Sequence, residues 1–247
     1  MKVIFKIWRQ EGPKDKGVIR SYVVDGLTED MSFLEALDHL NELLVLNDEK
    51  VIAYEYDCRE GICGQCGVFI NGRAHGPNDH MTTCQLHMRS FKDGDTIVVE
   101  PWRAASFPII KDLIVDRSAF DRVIEQGGYI SAKTGTAPEA NAIPIPKEVS
   151  DRAMDAAACI GCGACVATCK NSSAALFTSA KINHLNSLPQ GRAEEHKRVA
   201  EMTYQMEIEG FGSCTFTGAC EVECPEGISI INIAEMNARV IKSKVFG

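Results

Sequence analysis

Eleven cysteines in a chain of 247 residues constrain its fold more than any other feature, because they fall in three tight groups. The first is Cys58-Arg-Glu-Gly-Ile-Cys63-Gly-Gln-Cys66, with Cys84 after a further seventeen residues. The second is Cys159-Ile-Gly-Cys162-Gly-Ala-Cys165-Val-Ala-Thr-Cys169, and the third Cys214-Thr-Phe-Thr-Gly-Ala-Cys220-Glu-Val-Glu-Cys224-Pro225. An odd number leaves at least one thiol unpaired in any disulfide scheme. The stretch Met1 to Arg9 is too short in apolar residues for a signal peptide and lacks the Arg- and Ser-rich character of a transit peptide. A cytoplasmic setting is therefore expected, where thiols stay reduced, and metal ligation accounts for the cysteines better than disulfides.

The first group has the spacing C-x4-C-x2-C…C of a plant-type 2Fe-2S centre. Two irons sharing two sulfides need two thiolates each, which Cys58, Cys63, Cys66 and Cys84 supply. Gly61, Gly64 and Gly67 lie among them, where a chain without Cβ atoms can wrap closely and offer N–H groups to sulfur. Zinc also takes four thiolates, but zinc ribbons pair two short knuckles across a long loop. A Rieske centre has half a motif in Cys84-Gln-Leu-His87 and no C-x-H partner. His75, His80 and His87 are expected to be loop or surface histidines.

The second group has the spacing x2, x2, x3 of a bacterial ferredoxin run, in which the first three cysteines serve one cluster and the fourth serves the other. The third group fits the same template, final proline included, if Thr217 stands where the second cysteine would be. Cys159, Cys162, Cys165 and Cys224 then make a 4Fe-4S site. Cys169, Cys214 and Cys220 are left for the other cluster. Threonine replaces a soft anionic thiolate poorly, so 3Fe-4S is the expected product; a 4Fe-4S cluster with water or hydroxide on its fourth iron is the alternative. Four, four and three account for every cysteine.

Around these groups the first hundred residues alternate as strands, with one helix. Lys2 to Arg9 and Ser21 to Val24 read as a hairpin pair, Ser32-Phe-Leu-Glu35 as a capping box, and Leu34, Leu37, Leu40 and Leu44 as a helical stripe. Val51 to Tyr54, Val68 to Ile70 with an Asn71-Gly72 turn, and Thr96 to Val99 complete the strands. Pro108 to Asp112 looks like a crossing point. Helices are expected near 116–126, 148–158, 165–177, 193–209 and 228–243. The fold class is α+β: a β-grasp 2Fe-2S ferredoxin domain over 1–110, then an all-α dicluster ferredoxin domain over 111–247. Between two of the helices, 127–146 has no period, and reads as a surface loop or a partner-docking arm.

The arrangement resembles the iron-sulfur subunit of succinate dehydrogenase and fumarate reductase over nearly the whole chain. The resemblance implies electron transfer between a FAD-containing subunit, where succinate and fumarate interconvert, and quinone at a membrane cytochrome b subunit carrying haem b. Substrate chemistry would lie on a partner, with no catalytic acid, base or nucleophile here. It also implies a peripheral place on the cytoplasmic face of a bacterial inner membrane, with the 2Fe-2S centre toward the flavin and 3Fe-4S toward the membrane. In the best-known members a proline, a serine and a tryptophan pair follow the fourth cysteine of the first run and help form a quinone pocket. Here Lys170-Asn-Ser-Ser follows Cys169, which puts that pocket in doubt and resembles the branch with a di-haem membrane subunit. A free-standing polyferredoxin carrier and a zinc-binding interaction module are the other classes.

Composition is consistent with these expectations. The net charge of -8 weighs against nucleic acid or anionic lipid as a partner, and no apolar run approaches a membrane span. Val199, Met202 and Met206 are expected as a buried helix stripe. Lys181, His184, Arg192, His196, Lys197 and Arg198 form the one basic concentration, expected as a solvated helix face, with a membrane-facing surface as the competitor. Lys242 and Lys244 suit a helix C-terminus.

Overall fold

A computed structural model describes residues 1–133 and 135–246. Strand β1 (Val3–Arg9) buries Val3, Phe5 and Ile7 on one face at period two. It pairs antiparallel with β2 (Val18–Val24) and parallel with β5 (Thr96–Glu100). Short strands β3 (Phe69–Ile70) and β4 (Arg73–Ala74) finish a sheet of order β2-β1-β5-β3-β4. Helix α1 (Phe33–Leu46) starts at the expected capping box, where the Glu35 N–H donates to Ser32 Oγ at 3.2 Å and the Ser32 N–H to Glu35 Oε2 at 2.7 Å. Its buried face of Phe33, Leu34, Leu37, Leu40 and Leu44 packs with the sheet in one core.

The strand expected at Val51 to Tyr54 does not form. Its backbone groups are met by side chains instead: Asn41 both donates to the Ile52 carbonyl (3.0 Å) and accepts from the Ile52 N–H (2.8 Å), while Asp112 Oδ2 accepts from the Ala53 N–H (2.9 Å). The expected crossing point is a second small hairpin, β6 (Ile109–Lys111) with β7 (Ile114–Val115). At its turn the buried Asp112 also accepts from Arg9 Nε (3.1 Å) and the Gln10 N–H (2.9 Å), tying the hairpin back to the first sheet.

Helices follow: α2 (Ser118–Glu125), α3 (Lys147–Ala157), α4 (Ala164–Thr168), α5 (Ala175–Ser187), α6 (Glu195–Ile208), α7 (Ala219–Val222) and α8 (Ile231–Phe246). The helix expected over 165–177 is two, broken after Thr168, with Ser172 at φ +49 between them. The one expected over 228–243 begins at Ile231. Helix α5 is buried nearly all round and carries Thr178, Ser179, Asn183 and Asn186 into the core. Asn183 donates to the Asn232 carbonyl (2.8 Å) and Asn186 accepts from Arg198 (2.6 Å). Arg198, expected on a solvated face, is buried at 2% exposure, because its guanidinium also meets the carbonyls of Gly127, Tyr129 and Gly191. Val199 and Met202 are buried beside it and Met206 partly so. Lys197 pairs with Glu201 and Lys242 with Glu195.

Candidate iron-sulfur centres

The first cysteine loop runs without regular structure from Glu55 to Gly67. Gly61 (φ +82) and Gly64 (φ +73) supply left-handed turns that let it fold back on itself. Cys58 lies within hydrogen-bond reach of Cys63, and backbone N–H groups of Glu60 and Ile62 pull the Cys58 thiol down to about 7. Cys66 is buried against Cys84; burial first, and then that neighbour, push its thiol up to about 12. Cys84 sits in a 3-10 turn (Thr83–Gln85), where Thr82 Oγ1 stands 3.3 Å and Gln85 Nε2 3.8 Å from its sulfur. Cys66 also feels Cys63, so the four thiols of the set lie close together. His75 is buried, contrary to expectation: its Nδ1 accepts from the Thr83 N–H, and its ring meets Trp102 edge to face at 5.4 Å.

The second set lines one cavity. Cys159, Cys162, Cys165 and Cys224 surround it with Phe120, Leu176, Phe177 and Ile228. Burial raises all four thiols, Cys165 well above the ordinary range; neighbouring cysteines add to this at Cys159, Cys162 and Cys165, and the Glu226 carboxylate at Cys224. Neutral thiols so placed lose their protons when a metal cation takes them as ligands. N–H groups point at the sulfurs too, with Ile228 N–H 3.4 Å from Cys224 Sγ. A set of soft donors arranged around an apolar cavity fits a polynuclear iron cluster.

In the third set Cys169, Cys214 and Cys220 are half-buried, and burial, then Cys214, push Cys220 up to about 11. Here the structure repeats the second set position by position. Gly163 (φ +89) caps α4 before Ala164-Cys165, and Gly218 (φ +80) caps α7 before Ala219-Cys220. Gly161 (φ +65) corresponds to Phe216 (φ +55), and their N–H groups approach Cys159 and Cys214 sulfur in turn. Thr217 occupies the position of Cys162 in an exposed loop. Asn171, just beyond Lys170, donates to the Ser213 carbonyl (2.8 Å) and Thr215 Oγ1 (3.1 Å), lacing the two loops of this set together.

Two family models match the chain: a 2Fe-2S iron-sulfur cluster binding domain over residues 4–122 and a 4Fe-4S dicluster domain over 155–228. The fumarate reductase iron-sulfur subunit of Escherichia coli is 29% identical over 206 residues, covering 80% of this chain and 75% of the relative. The chain belongs to the family of iron-sulfur subunits of fumarate reductase and succinate dehydrogenase. Another member, the succinate dehydrogenase iron-sulfur subunit of Bacillus subtilis, is 26% identical over 193 residues, with 75% and 71% of the two chains covered. A chain of the Mycobacterium smegmatis Sdh1 complex in the apo form has the same fold, with a TM-score of 0.67 at 22% identity, covering 99% of this chain and 97% of that one. The family's α+β class, a ferredoxin sheet domain before a helical dicluster domain, is the one described above.

Side chains outside the motifs complete the site, and motif reading missed them. Trp102 Nε1 donates to the Cys162 carbonyl at 2.9 Å, and Gln85 Nε2 to the Arg59 carbonyl at 2.7 Å. Arg117 donates to both the Gly64 and the Cys162 carbonyls. In the sequence each is a lone polar or aromatic residue far from its partner, with no pattern to mark it.

Proposed function

We propose that this chain is the electron-transfer subunit of a succinate:quinone oxidoreductase. Cys58, Cys63, Cys66 and Cys84 hold 2Fe-2S; Cys159, Cys162, Cys165 and Cys224 hold 4Fe-4S; Cys169, Cys214 and Cys220 hold 3Fe-4S. Bound there, the clusters supply one-electron redox chemistry. Contiguity of the three thiol sets carries this reading. A Cβ on Gly64 would stand 2.4 Å from the Ile160 carbonyl oxygen, so the first loop lies backbone to backbone on the second. Cys165 of the second set in turn feels Cys220 of the third. The residues themselves exclude water with Phe120, Phe177 and Trp102 and turn N–H groups toward sulfur, the levers that tune such centres.

In this reading the two domains divide near 110, inside the β6–β7 hairpin. A FAD subunit docks at the 2Fe-2S end, and a membrane cytochrome b subunit with haem b and quinone docks at the 3Fe-4S end, on the cytoplasmic face of the inner membrane. Exposed apolar side chains at both ends support docking: Ile62 is 67% exposed beside Cys63, and Phe216 and Val222 are 50% and 61% exposed in the third set. Among the described residues no helix is long and apolar enough to cross a membrane. Thr217→Cys tests the third site. It is expected to replace a 3Fe-4S paramagnetic signal in the oxidised protein with a 4Fe-4S centre seen on reduction. Absence of that signal from oxidised wild-type protein sinks the 3Fe-4S assignment. Purification as a stable monomer with every cluster and no flavoprotein would instead favour a diffusing polyferredoxin.

A further inference from the structure

Arg117 lies between the first two thiol sets and belongs to neither motif. From the start of α2 its Nη1 donates to the Gly64 carbonyl (2.6 Å), between Cys63 and Cys66, and to the Cys162 carbonyl (3.1 Å). Its Nη2 meets Gln65 Oε1, and stands 3.3 Å from Glu55 Oε2. Trp102 donates to the same Cys162 oxygen, so both lone pairs of that carbonyl are used. The Arg117 side chain is 13% exposed against 37% for Glu55, which leaves the cation inside and its counter-charge toward solvent.

We propose that Arg117 is a shared positioning residue for the first two centres: it clamps their loops together and raises both reduction potentials. The inference rests on the reading of those sets as 2Fe-2S and 4Fe-4S sites. A fixed guanidinium is the residue for this task, since its rigid fork satisfies several acceptors at once and its charge persists at all working pH. Reduction adds negative charge to each centre, and a cation held against both loops favours the reduced state of each. A lysine keeps the charge and cannot span the same acceptors.

The test is a potentiometric titration of the purified complex, followed by paramagnetic resonance. Arg117→Gln is expected to lower both potentials, by about tenfold in the reduced-to-oxidised ratio at fixed ambient potential, or ~59 mV for one electron. Arg117→Lys is expected to hold both near wild type while weakening the spin–spin broadening between the reduced centres. Unchanged potentials in the Gln variant, movement of only one, or a Lys variant that shifts as far as Gln overturns the proposal. If the Gln variant loses a cluster, Glu55→Gln decides: raised potentials support the proposal and unmoved ones overturn it. Wild-type protein lacking either centre in iron and sulfide analysis sinks the functional reading itself. Wild type with both centres and an unshifted Gln variant sinks only the role of Arg117.

Discussion

Replacing Asp112 by alanine removes one buried acceptor from Arg9, the Gln10 N–H and the Ala53 N–H together. Breaking a buried ion pair from one side leaves the other charge stranded, and the expected loss is about 3 kcal/mol. Anaerobic denaturant unfolding of the loaded protein measures it, with Asp112→Asn expected to cost less because an acceptor oxygen remains. His75 gives a pH dependence. Burial first, and then the Arg117 charge, push its imidazole down to about 4. An unfolded histidine takes up its proton near 6.5, so between about 6.5 and 4 the unfolded chain binds more protons. Stability is therefore full above that window and falls as pH drops through it, by on the order of 3 kcal/mol. His75→Gln is expected to lack this part of the acid slope in unfolding measured at a series of pH values. Neither residue announced its burial in the sequence. Asp112 follows an apolar pair and a lysine, and His75 precedes Gly76-Pro77, so both look like turn residues, and only the fold brings three donors to one and an aromatic wall to the other.

At the scale of elements, the two dicluster runs are one local structure built twice, and their differences can be weighed against each other. Gly163 and Gly218 hold the same left-handed cap. Around Gly218 nothing stands within 4 Å of an added Cβ, whereas at Gly163 it would meet Phe107 at 3.0 Å. Gly218→Ala is expected to cost about 1 kcal/mol for the backbone alone. Gly163→Ala adds roughly 1–3 kcal/mol of overpacking. Comparative anaerobic melts of the two variants check this, and equal losses would contradict it. The repeat was legible because cysteine spacing survives in sequence whatever the packing. Helix α5 was not, since a helix buried on every side has no apolar stripe, and its polar Thr178, Ser179, Asn183 and Asn186 disguised a core element. Asn41, by satisfying the Ile52 backbone, likewise replaced a strand that the apolar run at Val51 suggested.

On the scale of the whole molecule, the thiol sets form a series across two adjoining cores, with Cys66 and Cys84 in the sheet core and the second set, Cys214 and Cys220 in or against the helical one. The core around the second set takes in Trp102, Phe107 and Phe120 with Phe177 and Phe211, and Phe120 stacks on Phe177 at 3.7 Å. The ligand sets could be proposed from sequence because each is local or repeats a local pattern. Their juxtaposition could not, because it depends on Gly64 meeting Ile160, and on Arg117 reaching over fifty residues back to Gly64. Cluster inventory is the most direct measurement, and low-temperature paramagnetic resonance of oxidised and then reduced protein reads it in one sample. A 3Fe-4S signal is expected in the oxidised state, and 2Fe-2S and 4Fe-4S signals on reduction. A colourless protein, or one whose oxidised state shows no 3Fe-4S signal, would contradict the cluster assignments.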